Sequence, residues 1–287
     1  MRDAIVVKNV TKNYKDFVLD HVNFRVPQGS IVGFVGENGA GKSTTIRAIL
    51  DLIGLEEGEV EILGLSKKER EDPAWKEQIG VVFDVGHIPD YLTAAQVGKM
   101  MKKLYRQWDS QQYETYLKKF RLAGDKKYKD FSRGMRMKLS LAVALSHHAR
   151  LLLLDECTSG LDPIIRDELL DILLDFIQEE NHSILISSHI ISDLEKVADY
   201  IVFIHEGRIC FEQEKDYLLE NYGIVHVTKE QASRLPENLV LGRRENQFGC
   251  DVMVKDRREV KRRYPEFAVD PAGIEEIILY TVKGETA

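Results

Sequence analysis

The sequence predicts an α/β fold with a largely parallel sheet, and three observations carry that expectation. Short runs of β character alternate with helical patterns up to about residue 210. Two of the runs, "LLLL" at residues 151–154 and "ILI" at 184–186, are apolar on both faces, as strands buried in a parallel sheet are. In "SIVGFVGENGAGKSTTIRAIL", residues 30–50, a strand pattern, a glycine-rich turn and a helix pattern follow one another directly.

Taken in order, "AIVVKNV", "VLDHVNFRV", "SIVGFVG" and "GEVEILG" read as strands bounded by Pro27, Gly29, Gly54 and Gly58, and the first three are expected to include an antiparallel pair. From about Asp72 to Leu145 the pattern shifts to helix. "AAQVGKMMKKLYRQW" and "QQYETYLKKFRLAG" place apolar residues three and four apart, which predicts a helical subdomain over about residues 85–145. Alternation resumes with "ARLLLLD", "PIIRDELLDILLDFIQEE", "HSILISS", "ISDLEKVAD" and "YIVFIHEG". The texture changes after Asn221: strand, helix, strand, strand, helix and strand patterns follow, and "GIEEIILYTV" ends as a helix. Residues 1–220 are therefore expected to form the main domain, with residues 221–287 as a small α+β appendage of ferredoxin-like character.

Composition narrows the function classes. A chain of 287 residues with 44% hydrophobic content can bury a sizeable core. The formal charge of −7 gives no electrostatic case for non-specific nucleic-acid binding, so no nucleic-acid partner is expected. Cys157, Cys210 and Cys250 are odd in number and far apart, which argues against a disulfide framework and for a reducing cytoplasm. The N-terminal residues lack a signal-peptide core, and no run of 18 apolar residues occurs, so the chain is not expected to cross a membrane by itself.

The strongest local signal is Gly36-Glu37-Asn38-Gly39-Ala40-Gly41-Lys42-Ser43, followed by Thr44. This is the phosphate-loop spacing in the context that it requires, after a strand and opening a helix. A polyphosphate must be wrapped by backbone N–H groups, so the loop bends where glycine fits, and the helix N-terminus adds its positive dipole. Lys42 is then expected to pair with the β- and γ-phosphates of ATP, and the Ser43 hydroxyl to hold Mg²⁺. The bland alternative is a glycine-rich turn with an exposed lysine. It does not account for spacing, flanks and hydroxyl together.

"RLLLLDE" supplies a carboxylate at the end of an apolar strand: Asp155, placed to hold Mg²⁺ where ligands gather in α/β folds. Glu156, next to it, can polarise an attacking water. "ISSH" closes another strand and sets His189 near the same edge, where an imidazole can hydrogen-bond a γ-phosphate. Judged alone, the carboxylates leave a core strand emerging into solvent as the lesser alternative, which the phosphate loop upstream weakens further, whereas an ordinary satisfied histidine is the better reading of His189 in isolation.

With the phosphate loop, "FSRGM", "LLLLDE", "SGLD" and "SSH" in this order, the chain resembles the ATP-binding subunits of ABC transporters over roughly residues 3–212. The resemblance implies an ABC ATPase fold: a mixed sheet core with an antiparallel β part and a helical subdomain. It implies that Ser132 and Gly134 complete the ATP site of an opposite subunit and that Asp162 lies at the dimer seam. Glu156 would act on water, His189 on the γ-phosphate, and Tyr14 would stack on adenine.

Four residues depart from the family pattern. The signature segment carries Arg133 and Met135 where glycine and glutamine are usual; Cys157 replaces a common proline; and Asp84 occupies the position of a glutamine that approaches Mg²⁺. Aspartate can still bind the metal, but it is shorter and adds negative charge beside the phosphates.

The implied function is ATP hydrolysis by a pair of subunits, homodimer or heterodimer, around two ATP molecules. The pair would drive a separate integral permease from the inner face of the cell membrane, with export as the leaning, since the C-terminal "GIEEIILYTVKG" resembles tails of subunits serving small ABC-2-type exporters. Two rival classes remain at this stage: a soluble ABC-type ATPase acting on nucleic acid or ribosomes, and a phosphate-loop phosphotransferase. The first usually has two cassettes or long insertions, and the second has no use for "FSRGM" with "SGLD".

Overall fold

A computed structural model describes residues 3–83, 88–247 and 249–284. The chain divides into two compact units, Met1–Ile209 and Cys210–Ala287. The division falls ahead of the boundary expected after residue 220. It lies inside a strand that the sequence did not announce, because "RICFEQE" mixes few apolar residues with charge.

The first unit runs β1 (Asp3–Asn13), β2 (Val18–Pro27), β3 (Ile31–Val35), α1 (Lys42–Ile49), β4 (Glu57–Ile62), β5 (Ile79–Val82), α2 (Ala94–Leu104), α3 (Ser110–Lys119), α4 (Arg133–Leu145), β6 (Leu151–Asp155), α5 (Pro163–Phe176), β7 (Ser183–Ser188), α6 (Ile191–Val197), β8 (Tyr200–His205) and the start of β9 (Arg208–Glu214), the strand in which the division falls. A three-stranded antiparallel sheet has the order β2-β1-β4, and a six-stranded sheet the order β5-β6-β7-β3-β8-β9. The pairs β3/β7, β3/β8, β5/β6 and β6/β7 are all parallel, so these strands end at one edge. Every residue of β3, β6 and β7 is buried, which is the reason for their unbroken apolar character.

Helix α1 is enclosed in the same core as residues of both sheets, with Ile46 and Ile49 fully buried, and Phe24 of β2 stacks on Phe34 of β3 at 5.2 Å. Burying each such side chain contributes roughly 1.5–3 kcal/mol before conformational entropy is counted. That core holds the N-terminus of α1 in place.

Helices α2 to α4 form the expected helical arm. Thr93 and Gln96 make a capping box for α2, Asp109 caps α3, and the Tyr113 hydroxyl donates to Ala94 O at 2.8 Å, joining the first two helices. Tyr105 stacks on the buried His147 at 4.1 Å, tying the α2–α3 link to the end of α4. One part of the span from 72 to 145 is not helical. Residues "IGVV" form β5, because pairing with β6, from Ile79↔Leu151 to Val82↔Leu154, overrides any local preference in so short a run.

The second unit contains α7 (Lys215–Asn221), β10 (Gly223–Val227), α8 (Lys229–Ala232), β11 (Val240–Asn246), β12 (Gly249–Val254), α9 (Arg257–Arg263), β13 (Ala268–Pro271) and α10 (Ile274–Lys283). Its sheet is antiparallel in the order β11-β12-β10-β13. Because β12 lies between β10 and β11, the arrangement is a split β-α-β unit. Val225, Val252, Val254 and Val260 form its separate core. On the β10 surface His226 bridges two strands, its Nδ1 2.6 Å from Asp251 and its Nε2 3.2 Å from Asp270.

Candidate nucleotide site

The phosphate loop leaves β3 and enters α1 through Gly41, the N-cap, at φ 115°. This is the left-handed region, and a Cβ there would also lie 2.7 Å from Leu19 and 2.9 Å from Phe17. No side chain caps α1, so its first N–H groups are not taken by a capping side chain, which is the arrangement that receives an anion. Glu37, Asn38 and Gly39 are exposed at the loop crest, Ala40 is buried beneath it, and Ser43 and Thr44 are half-buried in the first turn. Lys42 is folded back over its own loop, with Nζ donating to Gly36 O at 2.7 Å and Glu37 O at 3.1 Å.

The same ammonium lies 3.0 Å from Glu156 Oε1. This is an ion pair by distance, although its angles are not those of a hydrogen bond. Glu156 follows β6 at φ 52°, a backbone position uncommon for a residue with a side chain. Its N–H donates to the carbonyl and the hydroxyl of Ser187, both at 3.1 Å, so β7 fixes the turn. Glu156 Oε2 is 2.6 Å from His189 Nδ1, beyond the end of β7. Asp155 is buried at the end of β6 and accepts the Ser187 hydroxyl at 2.7 Å. Lys42, Asp155, Glu156 and His189 are therefore brought together at the shared edge of three parallel strands, where β7 separates β3 from β6.

Ser132 caps α4, its hydroxyl accepting from Met135 N at 3.3 Å. Gly134 is buried against Ile165, so a Cβ there would meet Ile165 Cδ1 at 2.8 Å. Asp162 is exposed and caps α5 by accepting from Ile165 N at 3.1 Å. The signature segment and the "SGLD" turn are thus neighbours. Tyr14 is 45% exposed, too open for a core aromatic, and its ring carries the Lys12 ammonium at 5.7 Å. Asp84 lies outside the described residues.

Sequence reasoning missed several neighbours of the site. Ser187 joins Asp155 to the Glu156 backbone, and the signal was a pair of serines ending an otherwise apolar strand. Asp193, in the first turn of α6, is buried; burial pushes its carboxyl pKa up, with Thr158 and Arg166 acting against that. Arg166 reaches it only at 3.7 Å. Cys157 is fully buried and its thiol pKa is pushed far up by desolvation, so it is no reactive thiolate. No helix among the described residues is long and apolar enough to cross a membrane.

Comparison with known proteins agrees with this geometry. Residues 19–159 match the family model described as ABC transporter. The bacitracin transport ATP-binding protein BcrA of Bacillus licheniformis is 36% identical over 221 residues, covering 76% of this chain and 72% of that protein. The lantibiotic transport ATP-binding protein SrtF of Streptococcus pyogenes is 35% identical, covering 73% and 90%. Among solved structures, an ATP-binding subunit of an ABC transporter superposes with a TM-score of 0.67 at 27% identity, covering 75% of this chain and 91% of that one. A dimeric ATP-binding cassette in a post-hydrolysis state, bound to ADP and Pi, gives 0.65 at 25% identity, covering 73% and 98%.

Proposed function

The chain belongs to the family of ABC transporter ATP-binding proteins and is an ATPase; from that premise we propose how its residues hydrolyse ATP and what the hydrolysis drives. The observation that carries the proposal is the convergence of Lys42, Glu156 and His189 within 3.0 and 2.6 Å at one sheet edge.

The backbone N–H groups of residues 36–44 wrap the phosphates at the N-terminus of α1, and Tyr14 offers a face to the base. Lys42 turns from Glu156 to the β- and γ-phosphates, exchanging one negative partner for another. Glu156 is then free to take a proton from water as the water oxygen attacks the γ-phosphorus and the bond to the β–γ bridging oxygen breaks, releasing ADP and phosphate. His189 holds the Glu156 carboxylate in orientation through Nδ1 and is 40% exposed on its side chain, open to the γ-phosphate. The Ser43 hydroxyl and the Asp155 carboxylate form an all-oxygen donor set that fits Mg²⁺, a hard cation. When bound, that ion neutralises charge on the β- and γ-phosphates.

Ser132 and Gly134 sit at the N-terminus of α4, a place that receives an anion, and we assign them to the ATP held by a second copy or a homologous subunit. ATP favours the closed pair and ADP does not, so binding and hydrolysis switch the pair between two states. An integral permease follows that switch and brings the chain to the inner face of the membrane. The names of the bacitracin and lantibiotic relatives favour transport of a peptide antibiotic, and export is the direction we propose. Affinity capture from detergent-solubilised membranes tests this: a stoichiometric integral protein is expected to co-purify, and its consistent absence with active ATPase would overturn the permease assignment.

A further inference from the structure

Arg133 stands where the family's signature segment usually has glycine, and the structure shows what its side chain covers. The guanidinium lies against Gly160 in the "SGLD" turn: a Cβ on Gly160 would sit 2.8 Å from Nη1, 3.0 Å from Cζ and 3.4 Å from Nε of Arg133. Three guanidinium atoms at similar range mean that the planar face meets the glycine. Gly160 has φ 66°, so its backbone disfavours a residue with a side chain, and a Cβ there would push the guanidinium aside.

One residue on, Gly134 packs on Ile165 of α5. The N-terminus of α4 and the turn into α5 are thereby joined at two points. From the turn, Arg166 Nη2 donates to Leu161 O at 3.2 Å, while its Nη1 faces Asp193 on α6, the helix that follows His189.

We propose that Arg133 is a positioning residue of the nucleotide site: its guanidinium fixes residues 159–162 to the N-terminus of α4, so that Ser132, Gly134 and Asp162 meet the partner's ATP as one piece. The inference rests on the two-subunit reading above. The planar face is the essential part, because a lysine keeps the charge and cannot cover Gly160 in the same way.

The test measures, in the Glu156→Gln background, the ATP concentration that half-saturates dimer formation by light scattering, and in the parent background KM and kcat. Arg133→Ala and Arg133→Lys are each expected to raise the half-saturating concentration about tenfold, within the range for residues coupled by contact, and to raise KM more than they lower kcat. Gly160→Ala, which displaces the guanidinium, is expected to weaken dimerisation in the same way and to add less in the Arg133→Ala background than alone. In mixed dimers the Arg133→Ala defect should fall on the site whose phosphate loop belongs to the other subunit. Thermal melts of Arg133→Lys separate this from misfolding. Parent-like behaviour of Arg133→Lys, or unchanged half-saturation in Arg133→Ala, overturns the proposal. If Glu156→Gln itself stays monomeric at saturating ATP and Mg²⁺, the two-subunit reading fails and the proposal with it; if it dimerises and the Arg133 variants match it, only the positioning role falls.

Discussion

Glu156→Gln removes the charge that faces Lys42 and keeps the length of the side chain. The pair lies at 3.0 Å with side-chain exposures of 5% and 14%, so solvent screens it little. With an effective dielectric constant of about 20, the gross attraction at that distance is about 5 kcal/mol. Desolvation offsets most of it, leaving about 2 kcal/mol, at the low end of the coupling measured for close charge pairs. A γ-phosphate must take Lys42 from Glu156 and must also approach the Glu156 charge, and the variant relieves both costs. ATP affinity should therefore rise about thirtyfold, while turnover falls about a hundred- to ten-thousandfold through loss of the base. Equilibrium binding of a fluorescent ATP analogue and steady-state phosphate release measure the two effects. Light scattering at saturating ATP and Mg²⁺ should show a species of twice the 32.9 kDa chain mass. Unchanged affinity would mean that Lys42 is not held by Glu156 in solution. Turnover within about threefold of the parent would remove Glu156 from the base role.

Three further outcomes follow from other residues. Ser132→Arg in one subunit should impair the site of the other, and unchanged hydrolysis in mixed dimers would sink the trans arrangement. Gly36→Ala should abolish nucleotide binding and lower stability by about 1–3 kcal/mol, because its Cβ would lie 2.5 Å from Ile204 O; a urea midpoint equal to the parent's would contradict the packing of the loop on β8. The pKa of His226 is raised above the usual histidine value, first by the hydrogen bond to Asp251 and further by that charge and by Asp270, with burial acting the other way. The folded ring thus holds its proton more tightly than the unfolded chain does. Its stabilisation is complete below about pH 6.5, the ordinary histidine value, and is lost as pH rises through the raised one. The melting-temperature gap between the parent and His226→Asn should accordingly be widest at low pH and close as pH rises; a constant gap would show that the Asp251 and Asp270 contacts do not hold a proton on His226.

The sequence by itself determined the parts whose causes are local. A phosphate loop is encoded within eight residues, because its glycines and the start of α1 both act on backbone only a few positions away. Asp155, Glu156 and His189 could be set near strand ends because apolar runs lie just before them, and a buried parallel strand needs such a run whatever its neighbours are, while their roles came from the resemblance. The order of elements in the second unit was legible because short strand patterns and helical spacings follow one another there in turn. Tertiary structure decided what depends on partners remote in the chain. Residues 79–82 became β5 through pairing with β6, and β12 entered between β10 and β11, since periodicity marks a strand's face without naming the strand beside it. Lys42 meets Glu156 because parallel pairing on both sides of β7 brings the ends of β3 and β6 to one edge. Arg133 covers Gly160 because α4 and α5 pack through Gly134 and Ile165, a contact that no local spacing could announce.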